Sequence, residues 1–269
     1  DITKIEIGPV GDGGRLLPVM KDERSGFFIQ HNRGKKSVAL NWEHSEAIEI
    51  AKALASKADI VLENFGTADV LKRRGLDYDS IRALNPRVIY LSVSAFGRTG
   101  PWANKPGFDF MAQAASGLMH MTGSPTEPPG VVWSAISDNN AAVHGFAGLG
   151  YALYHREKTG QGQFIDLSMV DCLFHHHEIA LEAWHLSEGD FVPKRMGQHH
   201  ELVFPVGVFQ GPESWIVIIA LDFQWENMCQ AMERLDLIDD PRYADMSDRA
   251  SHRDELVPVI EDWMSAFTS

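Results

Sequence analysis

The chain has 269 residues, of which 44% are apolar, 10% aromatic and 23% charged, a mixture that excludes a disordered polypeptide and allows one large domain or two smaller ones. Lys and Arg number 24 against 37 Asp and Glu, a formal charge of −13, which excludes a general binder of nucleic acid or anionic membrane because both need a positive field. Two cysteines, Cys172 and Cys229, are too few for a disulfide framework, and no apolar run approaches the ~18 residues that would cross a bilayer. The lack of a disulfide framework favours a reducing, cytoplasmic setting.

Residues 1–7 read as a strand already under way, and the last residues stop inside a helical pattern, so the sequence reads as an internal piece of a longer protein. Strands and helices then alternate: strand 37–41, helix 44–56 with Ile48, Ala51, Leu54 and Ala55 on one face, and strand 59–62. Short helices at 70–74 and 78–84 precede strand 88–93, helix 108–119 and strand 131–136. A helix over 138–157, strand 164–168 and a helix to about 186 complete the series. This alternation predicts a mostly parallel α/β sheet. After Gly189 the texture changes, with a hairpin over 203–209 and 215–220, then helices at 224–234 and from 253. The expected organisation is an α/β domain over 1–190 and the start of a smaller α+β domain over 191–269, joined near 187–196.

Several chemical motifs fail in context. Gly8, Gly11, Gly13 and Gly14 invite a dinucleotide-loop reading, but Arg15 to Pro18 stand where a phosphate-binding helix would begin, so a plain turn fits better. No Gly-x-Ser-x-Gly elbow and no P-loop is present. His175, His176 and His177 fall on the predicted helix, where successive side chains point about 100° apart and cannot converge on one ion, so no metal is expected.

Two basic runs stand out against the acidic background, Arg33-Gly34-Lys35-Lys36 and Lys72-Arg73-Arg74. They read either as solvated faces, the second favourable at a helix C-terminus, or as clamps for the phosphates of a nucleotide-like ligand. Asp138 follows an apolar segment and directly precedes a helix. An Asp there is an N-cap, or it is a nucleophile: ionised at neutral pH, it attacks an activated acyl group without a base, and helix-start N–H groups stabilise the oxyanion.

The ordered set Lys4-Ile5-Glu6, Gly11-Asp12 with Arg15, the first basic run with Asn32 and Ser37, Glu63-Asn64-Phe65 and Asn85-Pro86-Arg87 resembles the class III CoA-transferases. The resemblance continues through Gly97-Arg98-Thr99-Gly100-Pro101, Pro106-Gly107-Phe108-Asp109, Gln113 to Gly117, Thr122-Gly123 and Asp138. It runs on through Tyr154 to Gln163, Asp166 to Met169, Arg195-Met196-Gly197, Pro205 to Phe209 and Trp225-Glu226, and so spans essentially the whole chain.

This resemblance implies a Rossmann-like large CoA-binding domain, a smaller α+β domain, and a homodimer of two interlocked rings. It implies CoA transfer from an acyl-CoA donor to a carboxylic acid, with CoA and acyl-CoA as substrates and no tightly bound cofactor. Asp138 matches the family's nucleophile, which passes through a mixed anhydride and an aspartyl-CoA thioester. Asp109 stands where the family often has a second carboxylate. The CoA contacts carry over to Leu40, Asn41, Trp42 and Glu43, to Glu63, Asn64, Phe65 and Gly66, to a basic residue of Lys72 and Arg73, and to Pro106, Gly107 and Phe108.

Two departures qualify the match. Ile7 replaces an Arg often found after Lys-Ile-Glu, and residues 198–204 lack the glycine run of the formyl-CoA enzymes, which argues against formate or oxalate chemistry. The rival within the superfamily is an α-methylacyl-CoA racemase. That branch uses a His where this chain has Phe108, a side chain that moves no proton. A non-catalytic CoA-binding subunit of a heteromeric transferase is disfavoured by the intact Asp138, and an NAD-dependent oxidoreductase by the missing glycine fingerprint. Trp133, Met119, Met121 and His120 suggest an acyl pocket with apolar walls.

Overall fold

The computed structural model describes residues 1–267. Its first elements are β1 (Thr3–Ile7), a small hairpin of β2 (Met20–Lys21) and β3 (Arg24–Ser25), α1 (Gly26–Asn32), β4 (Lys36–Leu40) and α2 (Ser45–Ala55). There follow β5 (Ile60–Glu63), α3 (Asp69–Lys72), α4 (Tyr78–Leu84), β6 (Ile89–Ser94), α5 (Asp109–Ala115), α6 (Leu118–Met121) and α7 (Ile136–Thr159). The remainder is β7 (Gln163–Ser168), α8 (Met169–Phe174), α9 (Glu178–Leu186), β8 (Val206–Gln210), β9 (Trp215–Ile219), α10 (Asp222–Ala231), α11 (Met246–Ser251) and α12 (Arg253–Met264). The elements form two compact units, one of Asp1–Ala112 with Ser137–Cys172, the other of Gln113–Ile136 with the chain from Leu173 onward.

The first unit holds the parallel strands. β1 pairs with β4, and β5, β6 and β7 form a three-stranded sheet in that order, every pair parallel. β6 is its central strand and is buried at five of its six positions, Ser92 and Ser94 included, as expected of a strand covered on both faces. β7 enters beside it through Gly162, where an added Cβ would lie 1.9 Å from the Val88 carbonyl oxygen, so only glycine fits. α2 buries Ala47, Ala51 and Ala55, a stripe of small residues at i, i+4 and i+8, with Ile48 partly buried and Leu54 exposed. The buried face is thus turned slightly from the one expected, because small side chains let the helix approach its neighbours closely.

The motif around Glu6 is structural. Arg15 donates to both Glu6 carboxylate oxygens at 2.7 and 2.8 Å, and Ser37 Oγ and the Asp12 N–H also donate to it. The Arg15 guanidinium stacks over Phe28 at 3.9 Å. Chiefly through Arg15, the buried Glu6 carboxyl is held down to about 2. The glycine segment before Arg15 forms a single 3-10 turn over Gly13–Leu16, in keeping with the plain-turn reading.

The second unit buries Phe204, Phe209, Trp225, Cys229, Leu256 and Ile260 around Arg249, itself fully buried. Arg249 donates to the carbonyls of Phe204 (3.0 Å) and Tyr243 (2.9 Å), bonds the Asp222 carboxylate, and lies 4.7 Å from the Trp225 ring centre. The pairing of its charge is what makes burial tolerable.

Three expectations are corrected. Residues 131–135 form no strand: the side-chain amide of Gln113 takes both the N–H and the C=O of Val132, at 3.0 and 2.9 Å, doing the work of a strand neighbour. The helix over 108–119 is two helices, broken at Gly117 with φ +89°. The helix to 186 is also broken, and His175, His176 and His177 lie in the turn between α8 and α9. His177 is buried there, its Nε2 2.8 Å from the Ser116 carbonyl oxygen. Among the described residues no group of three His, Cys, Asp or Glu is placed to hold a metal, and no helix is long and apolar enough to cross a membrane.

Candidate active site

Parallel α/β sheets bind ligands outside the carboxyl ends of their strands. In the first unit those ends carry residues 40–43 after β4, 63–66 from the end of β5, and 94–98 from the end of β6. Trp42, Glu43, His44, Ser45, Ile48, Arg73 and Arg74 line a groove of about 440 Å³ there. Trp42 stacks on Phe65 with ring centres 5.6 Å apart, and the Arg74 guanidinium lies 5.2 Å from the Trp42 ring centre. Among the described residues the buried Trp42 indole N–H has no hydrogen-bond partner. An aromatic wall with cations and a spare donor suits a base or amide next to phosphates.

The turn after β5 is fastened from several sides. Glu63 is buried and ion-paired with Arg98 at 2.9 Å, and it accepts the Phe65 N–H at 2.8 Å. The Asn64 side-chain amide donates to the Val93 carbonyl at 2.8 Å. The side chains of Glu63 and Asn64 are therefore committed to the fold, which leaves backbone, the Phe65 ring and the open space beside Gly66 to face a ligand.

Asp138 lies in the first turn of α7, three residues after Ala135, which adopts a left-handed φ of +49°. The helix-start amide of Ser137 does not go to Asp138. It donates to the Asp109 carboxylate at 2.7 Å, and Ser137 Oγ donates to the same oxygen at 2.6 Å. Asp109 is therefore the group that caps α7, from another helix, and the N-cap reading of Asp138 is replaced. Among the described residues no side-chain hydrogen bond holds the Asp138 carboxylate, which is exposed. Enough protein still surrounds it to strip part of its hydration, and this burial, with the negative charge of Asp109, raises its pKa above the usual Asp value. A solvent-reachable, weakly held carboxylate of raised basicity at a helix start is equipped to attack an acyl carbon.

Comparison with known proteins gives the family of the chain. The family model described as "CoA-transferase family III" matches residues 1–269. The chain belongs to that family. It is 36% identical over 264 residues to an acetyl-CoA:oxalate CoA-transferase of Acetobacter aceti, with 97% of this chain and 67% of that protein covered. It is 35% identical over 279 residues to a succinyl-CoA:mesaconate CoA-transferase of Haloarcula marismortui, covering 100% and 69%. A crystal structure of a CAIB/BAIF family protein from Brucella suis superposes with a TM-score of 0.82 at 31% identity, covering 100% of this chain and 71% of that one.

In this CoA-transferase the structure brings Trp42, Glu43, Phe65 and Arg73 together at one groove and, separately, Asp109 to the start of the helix that carries Asp138. Trp42, Glu43 and Arg73 line one groove, whereas Lys72, exposed at the end of α3, does not. Leu40 is buried and its carbonyl accepts the Gly8 N–H, while Asn41 Oδ1 accepts the Glu43 N–H and turns the chain into α2. Gly107 is sterically required, since a Cβ there would lie 2.5 Å from the Ala95 Cβ. Between the exposed Pro106 and the buried Asp109, Phe108 presents a ring that is 75% exposed. Trp133, Met119, Met121 and His120 belong to the second unit, where His120 Nε2 lies 3.1 Å from the Pro193 carbonyl oxygen. Arg74 belongs to the basic run that the sequence already offers as a phosphate clamp, whereas nothing local to Arg98 or Ser137 marks the partners that the fold gives them.

The two roles of Asp109 separate by substitution. Asp109→Asn keeps an acceptor for the Ser137 N–H and removes the charge, so the acid limb of the kcat profile should move to lower pH as the Asp138 pKa falls. Asp109→Ala removes the acceptor as well, and kcat should fall by about 10²-fold through misplacement of Asp138. Rate profiles of the two variants in the full-length protein check both outcomes.

Proposed function

We propose that the Asp138 carboxylate attacks the carbonyl carbon of an acyl-CoA, expelling CoA thiolate and forming an aspartyl–acyl mixed anhydride. The thiolate then adds to the aspartyl carbonyl and releases the donor as its free carboxylate, leaving an aspartyl-CoA thioester. An incoming carboxylate attacks that thioester, displaces the thiolate again, and the thiolate takes the new acyl group while Asp138 is regenerated. The observation that supports this best is Asp138 itself: exposed, without a side-chain hydrogen bond, raised in pKa, and placed through Ser137 by Asp109. Phe108, at the position where a racemase needs a proton carrier, argues against α-proton exchange.

The CoA moiety is assigned to the carboxyl ends of β4 and β5, with its phosphate end toward Arg73 and Arg74 in the groove beside Trp42. CoA is a substrate here, not a resident cofactor. The relatives reported above are named for oxalate and mesaconate, both dicarboxylic acids; because residues 198–204 argue against oxalate itself, we take a dicarboxylate longer than oxalate as the acceptor class. The same proposal includes the division into a CoA-binding domain over 1–190 and a smaller domain from 191, an interlocked homodimer, and a cytoplasmic setting. Arg73→Gln with Arg74→Gln should raise the KM for the CoA thioester about tenfold or more and leave the KM for the acid unchanged. If turnover alone fell, with thioester affinity intact, the groove would not be the CoA site. A panel of dicarboxylic and monocarboxylic acceptors, with succinyl-CoA and acetyl-CoA as donors, tests the acid class.

A further inference from the structure

Glu63, Ser92 and Asp166 form a row straight across the three-stranded sheet, because Glu63 pairs in register with Ser92 and Ser92 with Asp166. Arg98 gathers all three. Its Nε donates to Ser92 Oγ at 2.6 Å, its Nη2 to Glu63 at 2.9 Å, and its backbone N–H to Asp166 at 2.8 Å. The same Nη2 donates to the Phe65 carbonyl at 2.8 Å. The side chain is 8% exposed, and Nη1 is buried with no hydrogen-bond partner among the described residues. Gly97 precedes it at φ +80°, a conformation that lets the chain double back so that the Arg98 N–H meets Asp166.

These contacts lead to the groove. Phe65, held at its carbonyl by Arg98 and at its N–H by Glu63, stacks on Trp42, and Trp42 is the aromatic wall beside Arg73 and Arg74. We propose that Arg98 is a positioning residue for the CoA thioester, fixing Phe65 and through it Trp42 at the height the ligand requires. The inference rests on the reading of the groove as the CoA site. A lysine cannot replace it, since a point cation lacks the fork that reaches Ser92, Glu63 and the Phe65 carbonyl together.

Two variants of the full-length enzyme test this, with titration calorimetry of free CoA, steady-state kinetics and thermal unfolding as readouts. Arg98→Lys should raise the KM for the CoA thioester about tenfold or more, with kcat changed no more than about threefold and the acid KM unmoved. Arg98→Gln combined with Glu63→Gln removes both buried charges, so its thermal midpoint should recover toward the wild type while CoA affinity stays low. Recovery of affinity along with the midpoint would overturn the proposal, since Arg98 would then serve stability alone. Tight CoA binding by the wild type with unchanged affinity in both variants would overturn it too, leaving the groove intact as the CoA site. A wild-type protein that transfers CoA but whose affinity ignores Arg73→Gln and Arg74→Gln would remove the groove reading and this proposal together.

Discussion

Asp138→Asn in the full-length protein is expected to lower CoA transfer by about 10⁴-fold or more, with the fold intact. The side chain keeps its size and loses its ionised nucleophile, and no cap is lost because Asp109 holds the Ser137 amide. In the wild type, hydroxylamine or borohydride should trap the acyl-aspartate and the aspartyl-CoA at this residue, and in the variant neither adduct should form. Solvent deuterium entering the α-position of a 2-methylacyl-CoA without any adduct would instead mark Asp138 as a general base. The pH dependence follows from its raised pKa, caused by burial first and Asp109 second. The nucleophile must be ionised, so activity should fall on the acid side at a pH above the usual Asp range. The folded state also holds this proton more tightly than the unfolded chain. That contribution to stability is present at low pH and is lost as the pH rises through the raised pKa. The Asn variant carries no charge to desolvate, so its thermal midpoint should exceed the wild type's at neutral pH and the gap should close in acid.

Glu63→Ala is expected to cost about 3–5 kcal/mol of stability, because it strands the Arg98 guanidinium as an uncompensated buried charge. It also orphans the Phe65 N–H and removes the acceptor of the Ser92 hydroxyl, leaving Ser92 Oγ only the Arg98 Nε–H that it accepts. Urea midpoints measure the loss, and Glu63→Gln, which keeps an acceptor for Phe65, should lose less. The exposed pair of Arg87 and Glu157 at 4.0 Å is the control, and Glu157→Ala should move the midpoint little. Equal shifts for the two would mean that the Glu63 pair is not buried in solution.

Local pattern carried the fold class. The segment 78–84 is α4 as read, and the strands at 37–41, 59–62, 88–93 and 164–168 each fall within a residue of β4, β5, β6 and β7. Apolar periodicity is a property of neighbouring residues, so it is written in order along the chain. It misled at 131–136, where a segment rich in β-branched residues has both backbone groups of Val132 taken by the Gln113 side chain instead of by a strand. Nothing adjacent in sequence announces that, and the same limit left the N-cap reading of Asp138 open beside the nucleophile reading.

The family and the identity of the candidate nucleophile were thus legible in ordered motifs alone, since they depend on which residue types occur and in what order. What each carboxylate and cation does was decided by tertiary structure. Ser137 and Asp109 are 28 positions apart, Arg98 and Glu63 are 35 apart, and Arg249 and Phe204 are 45 apart. A buried charge takes whatever partner the fold brings within about 3 Å, and neither propensity nor spacing contains that distance. Asp109 became the cap, Arg98 the clamp and Arg73 the groove cation because packing set their neighbours, with the composition of the chain unchanged.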